Sequence, residues 1–448
     1  MIKKMPWLVS RRRLLILSIV DYSIIVILFL ILQKTKYINT NFLSINLLAL
    51  SWLVISYVLD KYSISEDDFN IYASKRLLRV INTSILSGVL FKFIIIFTSI
   101  LKWNVGDGKW IVFILITAFF SFIYEIFHAI IIKKYLSKEV KWISIFSDYE
   151  KGSLISEKIN IKNNIFAKSI HKGRISELTT LDINKFGFII EDINSLNDSE
   201  KTILINLKNR GYKILSLINW YERYLHRYPK EITNSHDIAG ELLIYKEINS
   251  SQRIKRFSEF FLSLFLLIVL SPLIFLFAIC IKIEDKGPIF YSQIRSGFAG
   301  KPFRIYKLRS MKINSEQDGI KWSSHNDGRI TKVGKLIRRT RLDEVPQLLS
   351  VLNGDMSLIG PRPERPEIEE MLTNKIPNYQ LRYLVRPGLS GWAQVSYPYG
   401  ASIEDAKMKF SYDIYYIKNF STLFDLLILL ETIRLVFNLR GSLPKENE

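Results

Sequence analysis

Two adjacent carboxylates, Asp343 and Glu344, are the residues of this sequence best suited to do chemistry. They stand before Pro346 and an apolar run, which places them at the start of a helix. A purely structural explanation exists, because Asp is a preferred N-cap and acidic residues in a first turn complement the helix dipole. The surrounding sequence favours a chemical role, since it is rich in arginine, at Arg338, Arg339, Arg341 and Arg362.

Arginines in this position would keep a carboxylate ionised and bind phosphate oxygens through paired hydrogen bonds. An ionised Asp directed at a phosphorus atom can act as a nucleophile. Because neighbouring side chains on a helix point about 100° apart, Asp343 could attack while Glu344 or Asp355 reaches a Mg2+ ion. The sequence therefore predicts Asp343 and Glu344 as catalytic residues, with Asp343, Glu344 and Asp355 as the candidate metal ligands.

Composition narrows the classes of protein to consider. The chain has 448 residues, 48% of them hydrophobic, and a net charge of +20, which is typical of proteins that bind anionic lipids, nucleotides or nucleic acid. Cys280 is the only cysteine and the histidines are scattered, which excludes disulfides, cysteine-ligated zinc and paired-histidine metal sites. Any metal must then be held by oxygen ligands, which favours Mg2+ over Zn2+.

Residues 1–138 are predicted to form a four-helix transmembrane region. Each of its apolar runs is roughly as long as a helix that crosses ~30 Å of hydrocarbon. Lysine and arginine are concentrated before the first run, after the second and after the fourth, which places both ends of the region in the cytosol. Lys92 and Glu125 lie within spans and are expected to pair. The runs cover residues 14–32, 45–59, 80–101 and 110–132.

Residues 139–245 alternate short apolar segments with amphipathic ones, which predicts a small Rossmann-like α/β domain. A helix is expected from Asn197 to Arg210, ending at Gly211. The sequence contains neither GxGxxG nor a P-loop motif, so an architectural role is expected and a regulatory one is left open. The predicted strands are at 142–148, 186–192 and 212–218.

A fifth apolar run, residues 260–281, is predicted not to cross the membrane. Basic residues flank it on both sides, so both flanks are expected in the cytosol. Ser271 and Pro272 lie at its middle, where proline removes a helix hydrogen bond and bends the axis. The pattern predicts a helix-break-helix hairpin at about 257–282 that enters one leaflet and returns.

The C-terminal region, residues 251–448, carries a set of motifs in a fixed order: KRF at 255–257, SP at 271–272, GPIFY at 287–291, YKLRSM at 306–311, LDEVPQL at 342–348, NGDMSLIGPRP at 353–363, RPGLSGWAQV at 386–395 and YDIYYIKN at 412–419. In these motifs the region resembles the bacterial sugar transferases, the monotopic phosphoglycosyl transferases, in their large form with extra spans and a Rossmann-like insert. The N-terminal half matches only in layout.

This resemblance implies a mostly α-helical catalytic domain with a re-entrant membrane helix, in a multi-domain, multi-pass protein of the bacterial inner membrane. Asp343 would attack the β-phosphate of a UDP-sugar and release UMP, undecaprenyl phosphate would accept the phosphosugar, and Glu344 would help hold Mg2+. The catalytic domain would be cytosolic and would start an exopolysaccharide, capsule or O-antigen repeat. Residues implied to bind phosphate or substrate are Lys307, Arg309, Arg338, Arg362, Arg386 and Gln394.

Two other functions remain open at this point. A basic membrane-tethered protein that binds nucleic acid or anionic lipid would explain the charge alone, and a non-catalytic scaffold for polysaccharide assembly would leave the Asp-Glu pair without a use. The transferase hypothesis explains the charge, the hairpin, the carboxylates and the bilayer contact together, so no nucleic-acid partner is expected. Glucose or galactose is the expected sugar by resemblance, with N-acetylated sugars and a homodimer left open.

Overall fold

The chain divides into two compact units, Met1–Tyr224 and Leu225–Glu448. The second unit begins before residue 251, where the catalytic domain is predicted to start, because Tyr228 N donates to Ser411 O and Trp392 Nε1 donates to His226 O. A computed structural model describes residues 7, 11–34, 42–59, 61–62, 73–100, 110–136, 141–146, 166–172, 175, 186–191, 196–230, 242, 250–313, 315, 327–397, 400 and 402–438.

Apolar helices form the N-terminal part of the first unit, and each covers one of the apolar runs found in the sequence. Among the described residues, Leu14–Lys34, Trp110–Phe127 and, in the second unit, Gln252–Asp285 are long and apolar enough to cross a membrane. Ser44–Val58 is a shorter apolar helix. These features are compatible with a membrane protein. The helices are α1 (Arg12–Lys34), α2 (Phe42–Val58), α3 (Ala73–Ile100) and α4 (Trp110–Leu136).

A buried polar cluster joins α1 and α4 to the residues that follow α2. Lys61 forms a buried ion pair with Asp21 and also donates to Ser121 Oγ. The Tyr62 hydroxyl donates to Asp21 Oδ2 at 2.6 Å, and Ser121 Oγ donates to Asp21 Oδ1 at 2.9 Å. Both oxygens of this carboxylate therefore have donors, which offsets the cost of burying its charge.

The expected ion pair between Lys92 and Glu125 is not formed. Lys92 is exposed whereas Glu125 is buried, and no ion pair joins these two described residues. The buried lysine among the described residues is instead Lys61, which lies just past the end of α2 and outside the predicted apolar run 45–59.

A four-stranded parallel sheet follows the helices, with strand order β2-β1-β3-β4. Strands β3 and β4 lie within the predicted segments, and β1 begins one residue before its predicted segment. Strand β2 was not predicted because Lys168 and Ser169 interrupt its apolar pattern. The predicted helix is confirmed as α5 (Asp198–Asn209), whose N-cap Asn197 forms a reciprocal capping box with Glu200. The strands are β1 (Lys141–Phe146), β2 (Phe166–His171), β3 (Phe186–Ile190) and β4 (Lys213–Ser216), after which comes the short helix α6 (Leu217–Trp220).

The second unit opens with a long apolar helix, α7 (Ser250–Asp285), of 36 residues. The structure has one helix here, where two helices separated by a break at Ser271 and Pro272 were predicted. Pro272 cannot donate to the carbonyl of Ile268, but Ser271 Oγ donates to that oxygen at 2.8 Å. The helix therefore continues without leaving this carbonyl unpaired. Only 6% of its apolar window is buried within the protein.

The rest of the second unit is mostly helical, with two small sheets. Strands β5 (Phe290–Ser296) and β6 (Pro302–Leu308) form an antiparallel hairpin, and β7 (Ser357–Ile359) pairs in parallel with β8 (Gly388–Ser390). The helices are α8 (Lys332–Arg339), α9 (Leu348–Asn353), α10 (Pro366–Lys375), α11 (Trp392–Ser396), α12 (Ile403–Lys418) and α13 (Thr422–Phe437).

The β7–β8 pair brings two glycines into main-chain contact. A Cβ atom added to Gly388 would lie 2.0 Å from the backbone nitrogen of Gly360, and one added to Gly360 would lie 2.4 Å from the carbonyl oxygen of Arg386. Only glycine allows this approach, because any side chain would occupy the position of a backbone atom.

Candidate active site

The carboxylates Asp343 and Glu344 lie on a 3-10 turn, Leu342–Gln347, between α8 and α9. The residue before the turn, Arg341, has a left-handed backbone with φ of 55° and occupies the N-cap position without a side-chain capping bond. Neither carboxylate is therefore used as the N-cap, which was the structural explanation open from the sequence. Both are held by the turn among basic side chains.

Glu344 is fixed by two cations from different elements. Lys307, on β6, donates to Glu344 Oε1 at 2.9 Å, and Arg362, in the loop after β7, donates to both carboxylate oxygens. Burial alone would raise the pKa of Glu344, but Arg362 and Lys307 outweigh it and hold the pKa well below its usual value. Glu344 is therefore ionised throughout the neutral range.

Asp343 is buried, with 7% of its surface exposed, and differs from its neighbour in its partners. Among the described residues, no hydrogen bond or ion pair occupies its carboxylate. Burial and the adjacent charge of Glu344 raise the pKa of Asp343 to about 6, although Lys307, Arg338 and Arg362 act in the opposite direction. At neutral pH the side chain is mostly an ionised carboxylate that is not committed to a partner.

Cations outnumber the carboxylates around this turn. Arg338, Arg341 and Arg295 are near enough to act electrostatically on Asp343, Glu344 or Lys307. Burial lowers the pKa of Arg295 to about 10, which leaves its guanidinium charged at neutral pH. A buried excess of positive charge beside an ionised carboxylate suits a polyanionic substrate such as a diphosphate.

Comparison with known proteins assigns this region. Residues 250–439 match the family model described as bacterial sugar transferase. A putative undecaprenyl-phosphate N-acetylgalactosaminyl 1-phosphate transferase of Bacillus subtilis (strain 168) is 50% identical over 129 residues, which are 29% of this chain and 72% of that protein. The chain belongs to the bacterial sugar transferase family.

Longer relatives are similar over the same sugar transferase region. The UDP-N-acetylgalactosamine-undecaprenyl-phosphate N-acetylgalactosaminephosphotransferase of Aeromonas hydrophila is 47% identical over 189 residues, 42% of this chain and 45% of that protein. The UDP-glucose:undecaprenyl-phosphate glucose-1-phosphate transferase of Escherichia coli (strain K12) is 37% identical over 182 residues, 40% of this chain and 39% of that protein. The chain thus matches less than half the length of these two relatives.

Within the sugar transferase region, the structure gathers Lys307, Arg338 and Arg362 around the carboxylates, as the resemblance implies. Among the described residues, the other three predicted substrate-binding residues bond to neither carboxylate. Strand β6 ends at Leu308, and Arg309 pairs with Asp285 at the end of α7. The Arg386 guanidinium lies 5.9 Å from the ring centre of Phe298, and Gln394 Nε2 donates to the carbonyl of Leu389 at 3.3 Å.

The predicted set of three metal ligands is not assembled in the sugar transferase region. Asp355 is exposed in the loop after α9, and no three acidic, histidine or cysteine side chains among the described residues are grouped to hold a metal ion. Adjacent carboxylates still fit Mg2+, because this ion is commonly held by one or two carboxylates together with substrate phosphates. Asp343 and Glu344 therefore fit a metal that the substrate helps to bind.

Three residues near the site were missed from the sequence. Arg295 on β5 donates to the carbonyl of Pro363 at 3.0 Å, and its signal was an arginine inside a strand otherwise free of charge. Arg382 and Asp413 form a buried ion pair at 2.9 Å. They are separated by 31 positions along the chain, so no local pattern connects them.

Proposed function

We propose that this protein transfers a sugar-1-phosphate from a UDP-sugar to undecaprenyl phosphate, with Asp343 as the covalent nucleophile. The observation that carries the proposal is the buried Asp343 carboxylate, which has no partner among the described residues while its neighbour Glu344 has two. A nucleophile must have a lone pair available when substrate arrives. The names of the relatives support the same reaction class.

The first step forms a bond from an Asp343 carboxylate oxygen to the β-phosphorus of the UDP-sugar. The bond between that phosphorus and the bridging oxygen breaks, and UMP leaves with the bridging oxygen and its electrons. In the second step a phosphate oxygen of undecaprenyl phosphate attacks the same phosphorus, the Asp343–phosphorus bond breaks, and the carboxylate is restored. The product is a lipid-linked sugar diphosphate.

The cations have separate tasks in this scheme. Lys307 and Arg362 keep Glu344 ionised and fixed, so that Glu344 is suited to hold a cation and unsuited to deliver a proton. Arg338 lies near Asp343 and is placed to bind phosphate oxygens. Mg2+, held by Glu344 and Asp343 with the substrate phosphates, would neutralise charge on the transferring group.

The path of α7 through one leaflet and back is part of the proposal. A straight helix of 36 residues would be about 54 Å long, more than the ~30 Å of hydrocarbon. Yet both ends contact the same unit: Arg256 donates to the carbonyl of Leu352 at 2.8 Å, and Ile281 packs with Leu308 and Ile337. A bend at Pro272 would reconcile these contacts and keep the active site at the cytosolic membrane face.

The N-terminal unit is proposed to anchor the enzyme in the bacterial inner membrane. Helices α1 to α4 would form a transmembrane bundle around the core of Ile25, Phe29, Trp52 and Phe113. The parallel order β2-β1-β3-β4 supports the proposed small Rossmann-like domain. The apolar helices support a multi-pass protein, and the proposed cytosolic side of its soluble parts rests on the lysine and arginine pattern of the sequence.

N-acetylgalactosamine is the first donor sugar to test. The relatives that are 47% and 50% identical carry this sugar in their names, and the relatives named for glucose are 36–41% identical. Glucose and galactose, expected from the overall layout, remain in the panel.

Purified protein in nanodiscs would be incubated with Mg2+, undecaprenyl phosphate and a panel of UDP-sugars. UMP release and a lipid-linked sugar diphosphate are expected with one donor. Omitting undecaprenyl phosphate should leave a phosphosugar on the protein, located at Asp343 by mass spectrometry of peptides. Turnover with no adduct at Asp343 under any condition, including rapid quench, would contradict the covalent mechanism.

A further inference from the structure

The loop at residues 359–364 carries Arg362 to Glu344, and its main chain is held by cations. Lys255 Nζ donates to the carbonyl of Ile359 at 2.8 Å. Arg382 Nη2 donates to the carbonyl of Arg362 at 2.7 Å, and Arg295 Nη1 donates to the carbonyl of Pro363 at 3.0 Å. Lys255, Arg295 and Arg382 are called the loop clamp below.

Each member of the loop clamp also has an acidic partner. Lys255 pairs with Asp425 at 2.9 Å, Arg382 pairs with Asp413 at 2.9 Å, and Arg295 lies 4.0 Å from Glu364. The three cations come from the start of α7, from β5 and from the 3-10 turn Tyr379–Leu384, so parts of the unit far apart in sequence converge on one loop.

The rest of the loop is held by main-chain bonds. Gly360 N donates to Ser390 O at 2.9 Å, and Gly388 N donates to Pro361 O at 2.9 Å. Neutral bonds of this kind suffice to pair β7 with β8. Cations taken largely out of water are a costlier way to satisfy a carbonyl, because the cation must be desolvated. Their use at Ile359, Arg362 and Pro363 indicates a demand for a fixed backbone around Arg362.

We infer that the loop clamp consists of positioning residues, and that Arg382 sets the guanidinium of Arg362 against Glu344. Arg382 is the member that binds the main chain of Arg362 itself, and Arg362 in turn binds the Glu344 carboxylate. Arg382 touches neither carboxylate of the Asp343–Glu344 pair, so it acts through Arg362. The inference rests on the proposed function, because positioning matters only if Glu344 and Arg362 serve turnover.

The contacts of Arg382 separate this role from simple stabilisation. Its Nε binds Asp413, its Nη1 donates to the Tyr379 hydroxyl at 2.9 Å, and only its Nη2 reaches the loop. Lysine at this position would keep a positive charge for Asp413 but lacks the planar fork that reaches three acceptors at once. Arg382→Lys therefore removes the loop contact while the buried acid keeps a counter-ion.

The test is a double-mutant cycle on kcat/KM for UMP release, with Arg382→Lys, Arg362→Ala and the double variant. Arg382→Lys alone is expected to lower kcat/KM about tenfold or more, with an unchanged melting temperature. In the Arg362→Ala background the same change should alter kcat/KM by less than about 2-fold, because the group it positions is gone. Tyr379→Phe, which leaves the loop contact in place, is the matched control and should stay near wild type.

Effects that multiply across the cycle would show that Arg382 acts through general stability, and would overturn the inference while leaving the proposed function intact. If Arg382→Lys does not fold, the cycle is repeated with Arg295→Lys, which loosens Pro363, and the same non-additivity is expected. If the wild type shows no turnover with any UDP-sugar, the cycle is measured on the affinity for UDP. A wild type that neither turns over nor binds UDP would remove both proposals.

Discussion

Two buried charge clusters in this chain differ in how completely their carboxylates are occupied. In the first unit, Asp21 receives Lys61 and Tyr62 on one oxygen and Ser121 on the other. In the second unit, Glu344 is bound by Lys307 and Arg362, but its Oε2 accepts a single bond, and Asp343 beside it has no partner among the described residues. The Asp21 carboxylate accepts bonds on both oxygens and is closed to a ligand. The ionised Asp343 carboxylate keeps its lone pairs for one.

The elements that supply the charges differ as well. Asp21, Lys61 and Ser121 belong to apolar helices or their ends, where an unpaired charge is costly and pairing fastens one helix to another. Asp343 is kept open by a short turn and by cations that are committed to Glu344. We infer that the first cluster stabilises the helices, whereas the proposed function requires the second to receive an anion.

The largest expected effect comes from removing the open carboxylate. Asp343→Asn should lower UMP formation by about 10^3-fold or more, because the neutral amide cannot act as the nucleophile that forms the acyl phosphate. Its melting temperature should not fall, since a buried charge is removed. Asp355→Asn is the matched control, because Asp355 is exposed, and should change the rate by less than about 2-fold. If Asp343→Asn kept the wild-type rate, the Asp343–Glu344 cluster would have no catalytic role that sets it apart from the Asp21–Lys61 cluster.

The closed cluster should respond in stability and not in rate. Lys61→Met leaves Asp21 buried without its counter-ion, which is expected to cost about 3–5 kcal/mol of unfolding free energy. Denaturant titration in detergent micelles measures this loss, and adding Asp21→Leu should restore most of it. The folded fraction should keep its turnover. A fall in turnover at unchanged stability would assign this cluster to the reaction.

Acid should protonate Asp343 and stop the reaction at a pH at which the protein, including the Asp21–Lys61 cluster, is still folded. Because the pKa of Asp343 is raised to about 6 and only the carboxylate is nucleophilic, kcat/KM should fall as pH drops through 6. At pH 5 it should be roughly tenfold below its plateau. The profile is measured between pH 5 and 8 with the melting temperature followed in parallel. A flat profile down to pH 5 would mean that Asp343 is not the ionising nucleophile.

The smallest expected effect comes from removing the hydroxyl that donates to the carbonyl of Ile268 in α7. Ser271→Ala should cost about 0.5–1.5 kcal/mol, because the carbonyl of Ile268 then loses its only replacement for the donor absent at Pro272. Ser258→Ala is the control: its hydroxyl binds the carbonyl of Lys255 in the same way, at 2.8 Å, where a helix N–H is also present. Equal losses for the two variants would show that the proline site has no special need of a hydroxyl.

Local sequence patterns predicted what depends on neighbours in the chain. Asp343 and Glu344 are adjacent, and the apolar runs and the helix at Asn197 each carry their own signal. Lys307 and Arg362 were anticipated as phosphate- or substrate-binding residues, through the resemblance to known transferases. The structure places both on Glu344, and their binding of phosphate stays a prediction.

Local sequence patterns did not predict contacts between segments that are far apart in the chain. The partners Asp21 and Lys61, and likewise Arg382 and Asp413, are brought together by packing and leave no mark on spacing. Arg309 lies two positions from Lys307 and was predicted to share its role. However, β6 ends at Leu308, and the Arg309 side chain pairs with Asp285. Proximity in a motif therefore did not ensure that Arg309 joins Lys307 beside the carboxylates.

The bare main-chain contact at Gly360 and Gly388 limits how this enzyme can be altered. Even a methyl group at either position would push the Arg362 loop away from the strand beside it, so libraries that randomise these glycines should return inactive proteins. Engineering should therefore keep Gly360 and Gly388 and vary the residues around them.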